Sequence, residues 1–216
     1  MKKKVVIVDY QLGNLFSVKQ ALLNVGLDVV ISSQADDIND ADAVVLPGVG
    51  AFADAMSNLA KMGLVDPLKN YIAGGKPFMG ICLGLQLLFT NSEEFGDSKG
   101  LDIIPGTVKK FKPSPEFPVL KVPQISWNQI GKPEGRSWDD SPLGESKEGE
   151  YMYFVHSYYV EPQDHKVALT ETTYGDVKYV SSILKKNIFA CQFHPEKSAE
   201  EGLKIYKRWA LNNQLI

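Results

Sequence analysis

The sequence predicts a doubly wound α/β fold, a mostly parallel sheet with helices on both faces, carrying a β-rich C-terminal half. Three observations predict it. Short, continuous β-branched runs recur between Val5 and Ile81, as expected for parallel strands buried on both faces. Segments with helical spacing separate those runs, and such alternation builds a parallel sheet. Beyond Gly100 the pattern changes to short strands divided by turn residues.

The first strand is the apolar run at 5–8. Residues 14–25 follow as a helix, because Leu15, Val18, Leu22 and Val25 share a face and Gly26 stops it. Residues 29–31 and 43–46 are the second and third strands, the latter ended by Pro47-Gly48. Residues 51–71 are helical in character, broken around Gly63 and Pro67. The fourth strand covers 77–81, and 83–89 begins another helix. Further strands are expected at 107–111, 151–160, 167–172, 177–184 and 188–193, with a closing helix at 199–211. The stretch 112–149 is rich in Pro, Gly and charge and reads mainly as loops. No repeat or composition break divides the chain, so residues 1–216 are expected to form one domain.

Composition excludes several classes. Lys plus Arg number 23 against 26 Asp plus Glu, so no basic surplus points to nucleic acid. The Lys2-Lys3-Lys4 run reads as a solvated N-terminus. No stretch approaches the ~20 apolar residues of a membrane span, and the run after the lysines is too short for a signal-peptide core. Cys82 and Cys191 are too few and too far apart for a disulfide framework, which fits a reduced, cytoplasmic setting. His156, His165 and His194 form no metal-ligand spacing, so neither a metal nor another cofactor is expected.

Ligands of such sheets sit outside the carboxyl ends of the strands, here after Val8, Leu46 and Ile81. The third of these places carries Gly80-Ile81-Cys82-Leu83-Gly84 between a strand and a helix. That is the form of a nucleophile elbow with cysteine in place of serine. Glycines permit the tight turn, and the start of the next helix favours a thiolate. The Leu83 N–H points toward an oxyanion formed on a carbonyl that Cys82 attacks. Cys191, within an apolar strand, reads instead as a buried core residue.

A nucleophilic cysteine needs a base, and the base needs an orienting group. His194-Pro195-Glu196 supplies both, since i and i+2 side chains in extended backbone point the same way. Together these elements indicate acyl transfer through a thioester. A second oxyanion donor is expected at Val49, between Gly48 and Gly50.

With those motifs in view, the chain resembles the class I (triad) glutamine amidotransferases, a flavodoxin-like fold family. The segments at 80–86 (Gly-Ile-Cys-Leu-Gly-Leu-Gln) and 193–196 (Phe-His-Pro-Glu) look like its two signatures. Asp9 to Leu15, Pro47 to Gly50 and Tyr153 to Tyr158 are similar to one branch, the glutaminase subunits of imidazole glycerol phosphate synthases of histidine biosynthesis. The resemblance implies that Cys82 attacks the glutamine side-chain amide and that His194 protonates the departing ammonia. It implies that Gly50, Gln86, Ser157 and Tyr158 hold glutamine. It further implies that Asn14, Tyr153 and Lys197 face a (β/α)8-barrel cyclase that receives the ammonia, and that the Val49 peptide reorients when that partner is loaded. Two segments depart from the branch: Gln11 stands where Gly is usual, and Gln124-Ile125-Ser126 replaces a His-Met-Gly stretch. Both bear on the ammonia acceptor. Paralogues that amidate sugars of surface polysaccharides, and free-standing thiol hydrolases with a similar elbow, are the alternative readings.

Overall fold

The computed structural model describes residues 3–216. Its elements, in order, are β1 (Lys4–Val8), α1 (Leu15–Asn24), β2 (Asp28–Ser32), α2 (Ala35–Asp40), β3 (Ala43–Gly48), α3 (Phe52–Lys61), α4 (Val65–Ala73) and β4 (Phe78–Cys82). There follow α5 (Leu83–Gln86), β5 (Phe89–Ser92), β6 (Ser98–Lys99), β7 (Ile104–Lys110), β8 (Gln124–Gln129), β9 (Tyr151–His156) and β10 (Tyr158–Pro162). The chain ends with β11 (Ala168–Tyr174), β12 (Val177–Lys185), β13 (Ile188–Cys191) and α6 (Ala199–Asn212).

The main sheet runs β2-β1-β3-β4-β13-β12-β10-β7-β5-β6, with β11 paired to β12. Its first five strands are mutually parallel, and mixed pairings begin where β12 turns back against β13. Successive side chains of a strand point to opposite faces, and the two cores follow that rule. Val6, Val8, Val44 and Leu46 pack with α2, α3 and α4 through Ile38, Leu59 and Leu68. Val5, Ile7, Ala43 and Val45 pack on the other face with Val18 and Leu22 of α1 and Tyr206 and Trp209 of α6. Strands buried on both faces leave no room for polar residues, which is why their apolar runs are unbroken.

The C-terminal third inserts β13 next to β4, with Ala190 beside Gly80 and Cys191 beside Ile81. Whatever follows β13 must therefore emerge near the end of β4. β8 and β9 form a separate antiparallel pair, in which Trp127 lies opposite Tyr153. The chain passes from that pair to the main sheet at Ser157, so the expected strand at 151–160 is two strands in two sheets.

Three further expectations change. Instead of a helix over 83–89 there is the single turn α5, because residues of the 101–104 segment bond the Leu87 and Leu88 carbonyls and the chain goes on as β5. Residues 112–149 contain β8, whose apolar Ile125 and Trp127 face outward while Gln124 is buried, the reverse of an amphipathic strand. The helical break falls at Gly63 alone; Pro67 sits in the first turn of α4, where its missing N–H costs nothing. At the N-terminus, Lys3 pairs with Asp42 at 3.1 Å and Lys4 with Asp37 at 2.6 Å, whereas Lys2 lies outside the described residues. Among the described residues no helix is long and apolar enough to cross a membrane.

Gly202 joins fold to site. A Cβ there would collide with the Pro195 carbonyl, so α6 lies against the turn that follows β13 only because residue 202 has no side chain. Gly202→Ala is expected to cost about 1–3 kcal/mol in urea unfolding, the usual effect of overpacking. An unchanged midpoint would show that α6 is free to shift.

Candidate active site

Cys82 ends β4 at φ 54°, ψ −108°, a region that few non-glycine residues occupy. The turn is possible because both flanking glycines meet backbone. A Cβ on Gly80 would lie 2.9 Å from the Gly84 carbonyl oxygen, and one on Gly84 would strike the Leu46 carbonyl. Cys82 is 6% exposed and free of any disulfide. Gln192 Nε2 donates to it at 3.5 Å, and on another side it approaches the Val155 carbonyl oxygen at 3.8 Å. With α5 only one turn long, its aligned peptide dipoles supply less field than a full helix would. The charge that matters at the sulfur comes from a side chain.

That side chain is His194, carried into place by the pairing of β13 with β4. Its backbone N–H donates to the Tyr153 carbonyl at 2.9 Å, and its own carbonyl accepts from Ser198 Oγ at 2.7 Å. Nδ1 lies 2.7 Å from Glu196 Oε1, both side chains being nearly excluded from water. Tyr206 Oη approaches the other carboxylate oxygen at 3.5 Å. Nε2 is buried without a well-formed hydrogen bond. Burial disfavours the charged ring, yet the Cys82 sulfur, then Glu196, outweigh it and hold His194 up at about 10. His156 behaves oppositely: burial, against the Tyr158 carbonyl but helped by the charge of His194, pushes it down to about 4. One imidazole is kept charged and its neighbour neutral, a divergence that is frequent at catalytic sites.

A cavity of about 190 Å3 opens beside the sulfur, lined by Val49, Gly50, Cys82, Leu83, Gln86 and Glu94 on one side and residues 155–158 on the other. It is smaller than the roughly 300–1,000 Å3 of drug-sized sites, so it suits one small molecule. Val49 is 40% exposed at its rim. The preceding Gly48 must be glycine, because a Cβ would collide with the Tyr10 hydroxyl, which donates to the Pro47 carbonyl at 2.9 Å. Gly50 takes φ 100°. Gln86 is buried, not a surface glutamine, and its Nε2 donates to the Tyr158 carbonyl at 3.0 Å and to Gln192 Oε1 at 2.9 Å.

The fold thus sets His194 against both the Cys82 sulfur and Glu196, and around the cavity it gathers Val49, Gly50, Cys82, Leu83, Gln86, Ser157 and Tyr158, with His194 and Glu196 outside its lining. Asn14, Tyr153 and Lys197 do not line it. Asn14 caps α1, accepting from the Ser17 N–H at 3.3 Å. The Lys197 ammonium lies 5.6 Å from the Tyr153 ring centre, and that ring is 6.5 Å from the His194 ring. Sequence reasoning missed Glu94, His156, Gln192 and the Val155 carbonyl. Glu94 accepts from the Phe52 N–H at 2.6 Å, capping α3 from the cavity wall. Of the departing segments, Gln11 adopts φ 71°, where glycine is at ease, and buried Gln124 accepts from Tyr179 Oη at 3.1 Å. Among the described residues no group of three or more His, Cys, Asp or Glu side chains could hold a metal ion.

Residues 6–212 match the family model for glutamine amidotransferase class-I. The chain belongs to that family. It is 46% identical over 207 residues to the "Imidazole glycerol phosphate synthase subunit HisH" of Aquifex aeolicus, covering 95% of each chain. It is equally 46% identical over 203 residues to the protein of the same name from a Cyanothece species, covering 93% of this chain and 92% of that one. Among solved structures, "Structure of PurLQS from Thermotoga maritima" superposes with a TM-score of 0.73 at 17% identity, covering 98% of this chain and 99% of that one. That likeness shows a shared fold.

Because His194 is raised above the ordinary 6.5, its ion pairs add stability that is complete below about pH 6.5 and lost as pH climbs through about 10. Titration of the ring by NMR is expected to find His194 charged at pH 8 in the native chain. Cys82→Ser should lower its midpoint, since the sulfur is the foremost group holding the proton on. A midpoint indifferent to that replacement would mean that the two side chains do not interact.

Proposed function

We propose that this chain is the glutaminase subunit of an imidazole glycerol phosphate synthase, hydrolysing glutamine with Cys82, His194 and Glu196 and supplying ammonia to a (β/α)8-barrel cyclase. The observation that carries the chemistry is the buried arrangement of thiol, imidazole and carboxylate at one end of β4, next to a cavity for a single small molecule. The names borne by relatives 46% identical over nearly the whole chain favour the histidine pathway over sugar amidation and over a free-standing hydrolase.

The steps follow from the charges. The Cys82 thiolate adds to the amide carbon of glutamine, and the oxyanion formed is met by the backbone N–H groups of Leu83 and Val49. As the C–N bond breaks, the His194 imidazolium gives its proton to the leaving nitrogen, and ammonia departs. Glu196 holds the ring so that Nε2, not Nδ1, carries that proton. Water then attacks the γ-glutamyl thioester with His194 as base, releasing glutamate and restoring thiolate and imidazolium. Gly50, Gln86, Ser157 and Tyr158 hold the substrate. Both Gln86 amide hydrogens are already engaged, which leaves its carbonyl oxygen to accept from the substrate's ammonium group.

The ammonia serves a second chain, which makes imidazole glycerol phosphate and AICAR from PRFAR. Ile125, Trp127 and Tyr151 stand 60%, 49% and 52% exposed on β8 and β9, and a patch of large apolar side chains on one strand pair marks a surface for a partner. Tyr153 and Lys197 adjoin it, with the Trp127 and Tyr153 rings 6.1 Å apart. Asn14, which caps α1, is assigned to the same partner surface, and the chain is read as one domain. Two free cysteines suit a subunit that works in a reducing cytoplasm.

Purified alone, the chain is expected to hydrolyse glutamine slowly, with hydrolysis rising when the barrel subunit and its ligand are added and vanishing in Cys82→Ala. Nitrogen-15 from the glutamine amide should appear in imidazole glycerol phosphate. A barrel subunit that never raises the rate would defeat the pathway assignment. A Cys82→Ala chain with full activity would defeat the chemistry.

A further inference from the structure

We infer that Gln192 is the positioning residue that aims the Cys82 sulfur, and that Gln86 fixes the direction in which its amide donates. This rests on the proposed role of Cys82 as nucleophile and adds a residue to it.

The donors and acceptors around Gln192 allow one arrangement only. Gln192 is fully buried and does not line the cavity, so it cannot act by touching substrate. Its Nε2 lies 3.5 Å from the Cys82 sulfur and its Oε1 lies 2.9 Å from Gln86 Nε2. An amide can be turned end for end unless its neighbours forbid it. Here the Tyr158 backbone carbonyl, which can only accept, takes one hydrogen from Gln86 Nε2 at 3.0 Å. Reversing Gln86 would set oxygen against oxygen. With Gln86 so fixed, its second hydrogen points to Gln192, which must answer with its carbonyl oxygen and turn its NH2 to the sulfur. His156 Nδ1 lies 2.8 Å from the same Tyr158 carbonyl and holds the starting point in place.

The sulfur therefore has partners of opposite kind. The Val155 carbonyl can only accept, and it suits a thiol. The Gln192 N–H can only donate, and it suits a thiolate with its lone pairs directed toward the cavity. Gln192 itself is out of contact with water, which strengthens that bond. Since the direction originates at Tyr158 and passes through Gln86, both on the cavity wall, the aim of the sulfur is coupled to the groups that hold substrate.

Two replacements test this. Gln192→Glu keeps an oxygen to accept from Gln86 but places an oxygen instead of an N–H against the sulfur. Gln192→Met keeps the volume and removes both bonds. For each full-length variant, Cys82 alkylation by iodoacetamide is followed against pH, beside glutaminase kinetics and thermal melting. The other titratable groups acting around the sulfur, His194, Tyr10 and Cys191, are unchanged in both. Losing one hydrogen bond to a charged group is expected to lower kcat about tenfold or more, with KM for glutamine within about twofold. The alkylation profile should move to higher pH, further in Gln192→Glu than in Gln192→Met. If Gln192→Glu melts like the parent and its alkylation profile coincides with it, the inference is overturned. It is equally overturned if the loss falls on KM alone. Should the parent chain itself fail to hydrolyse glutamine, with or without a partner, the functional assignment fails instead, and the alkylation profile still reports on Gln192.

Discussion

Everything in this site depends on the backbone of one residue, Cys82, held with positive φ at the end of a fully buried strand. Such a conformation costs about 1–3 kcal/mol for a residue with a side chain, and only surroundings that over-determine it can hold it. The sheet supplies them. β3 pairs on one side, with Gly48 beside Cys82, and β13 on the other, with Cys191 beside Ile81. Gly80 and Gly84 let the turn close against backbone atoms. The same pairings decide what surrounds the sulfur: the Gly48–Val49–Gly50 loop leaves β3 on one flank, and Gln192 to Glu196 leave β13 on the other.

Electrostatics then divides the work between residues that composition alone would treat alike. Of the two cysteines, Cys191 is buried in the core and its thiol is pushed up by burial, while Cys82 borders the cavity. Of the two buried histidines, His194 gains a sulfur and a carboxylate and stays charged, while His156 gains only neutral partners and stays uncharged. Position relative to β4 makes the difference in both pairs. The neutral ring fixes the Tyr158 carbonyl, and the charged one faces the Cys82 sulfur.

Much of this was legible in the sequence, for identifiable reasons. Strands buried on both faces must be apolar without interruption, so β1, β3 and β4 read directly from their residues. The elbow and the His-Pro-Glu turn are local motifs whose spacing survives folding. Where tertiary contacts overrule local pattern, reading fails. α5 stops after one turn because a later segment captures the Leu87 and Leu88 carbonyls just beyond it. β8 hides because its apolar side chains face outward and its buried residue is a glutamine. Gln192 carries no signal of its own: a glutamine before an aromatic residue is ordinary until β13 sets it against a sulfur 110 positions away. Glu94 and the Val155 carbonyl are likewise defined by what the fold brings beside them.

The central claim is that the Cys82 thiol, served by His194, is the group that meets glutamine. Mass spectrometry of the chain after exposure to a glutamine-like chloroketone tests it most directly. The account predicts one adduct per chain, on the peptide containing Cys82, suppressed by glutamine and slowed in His194→Ala. Labelling of Cys191, or labelling of Cys82 that glutamine does not suppress, would contradict it.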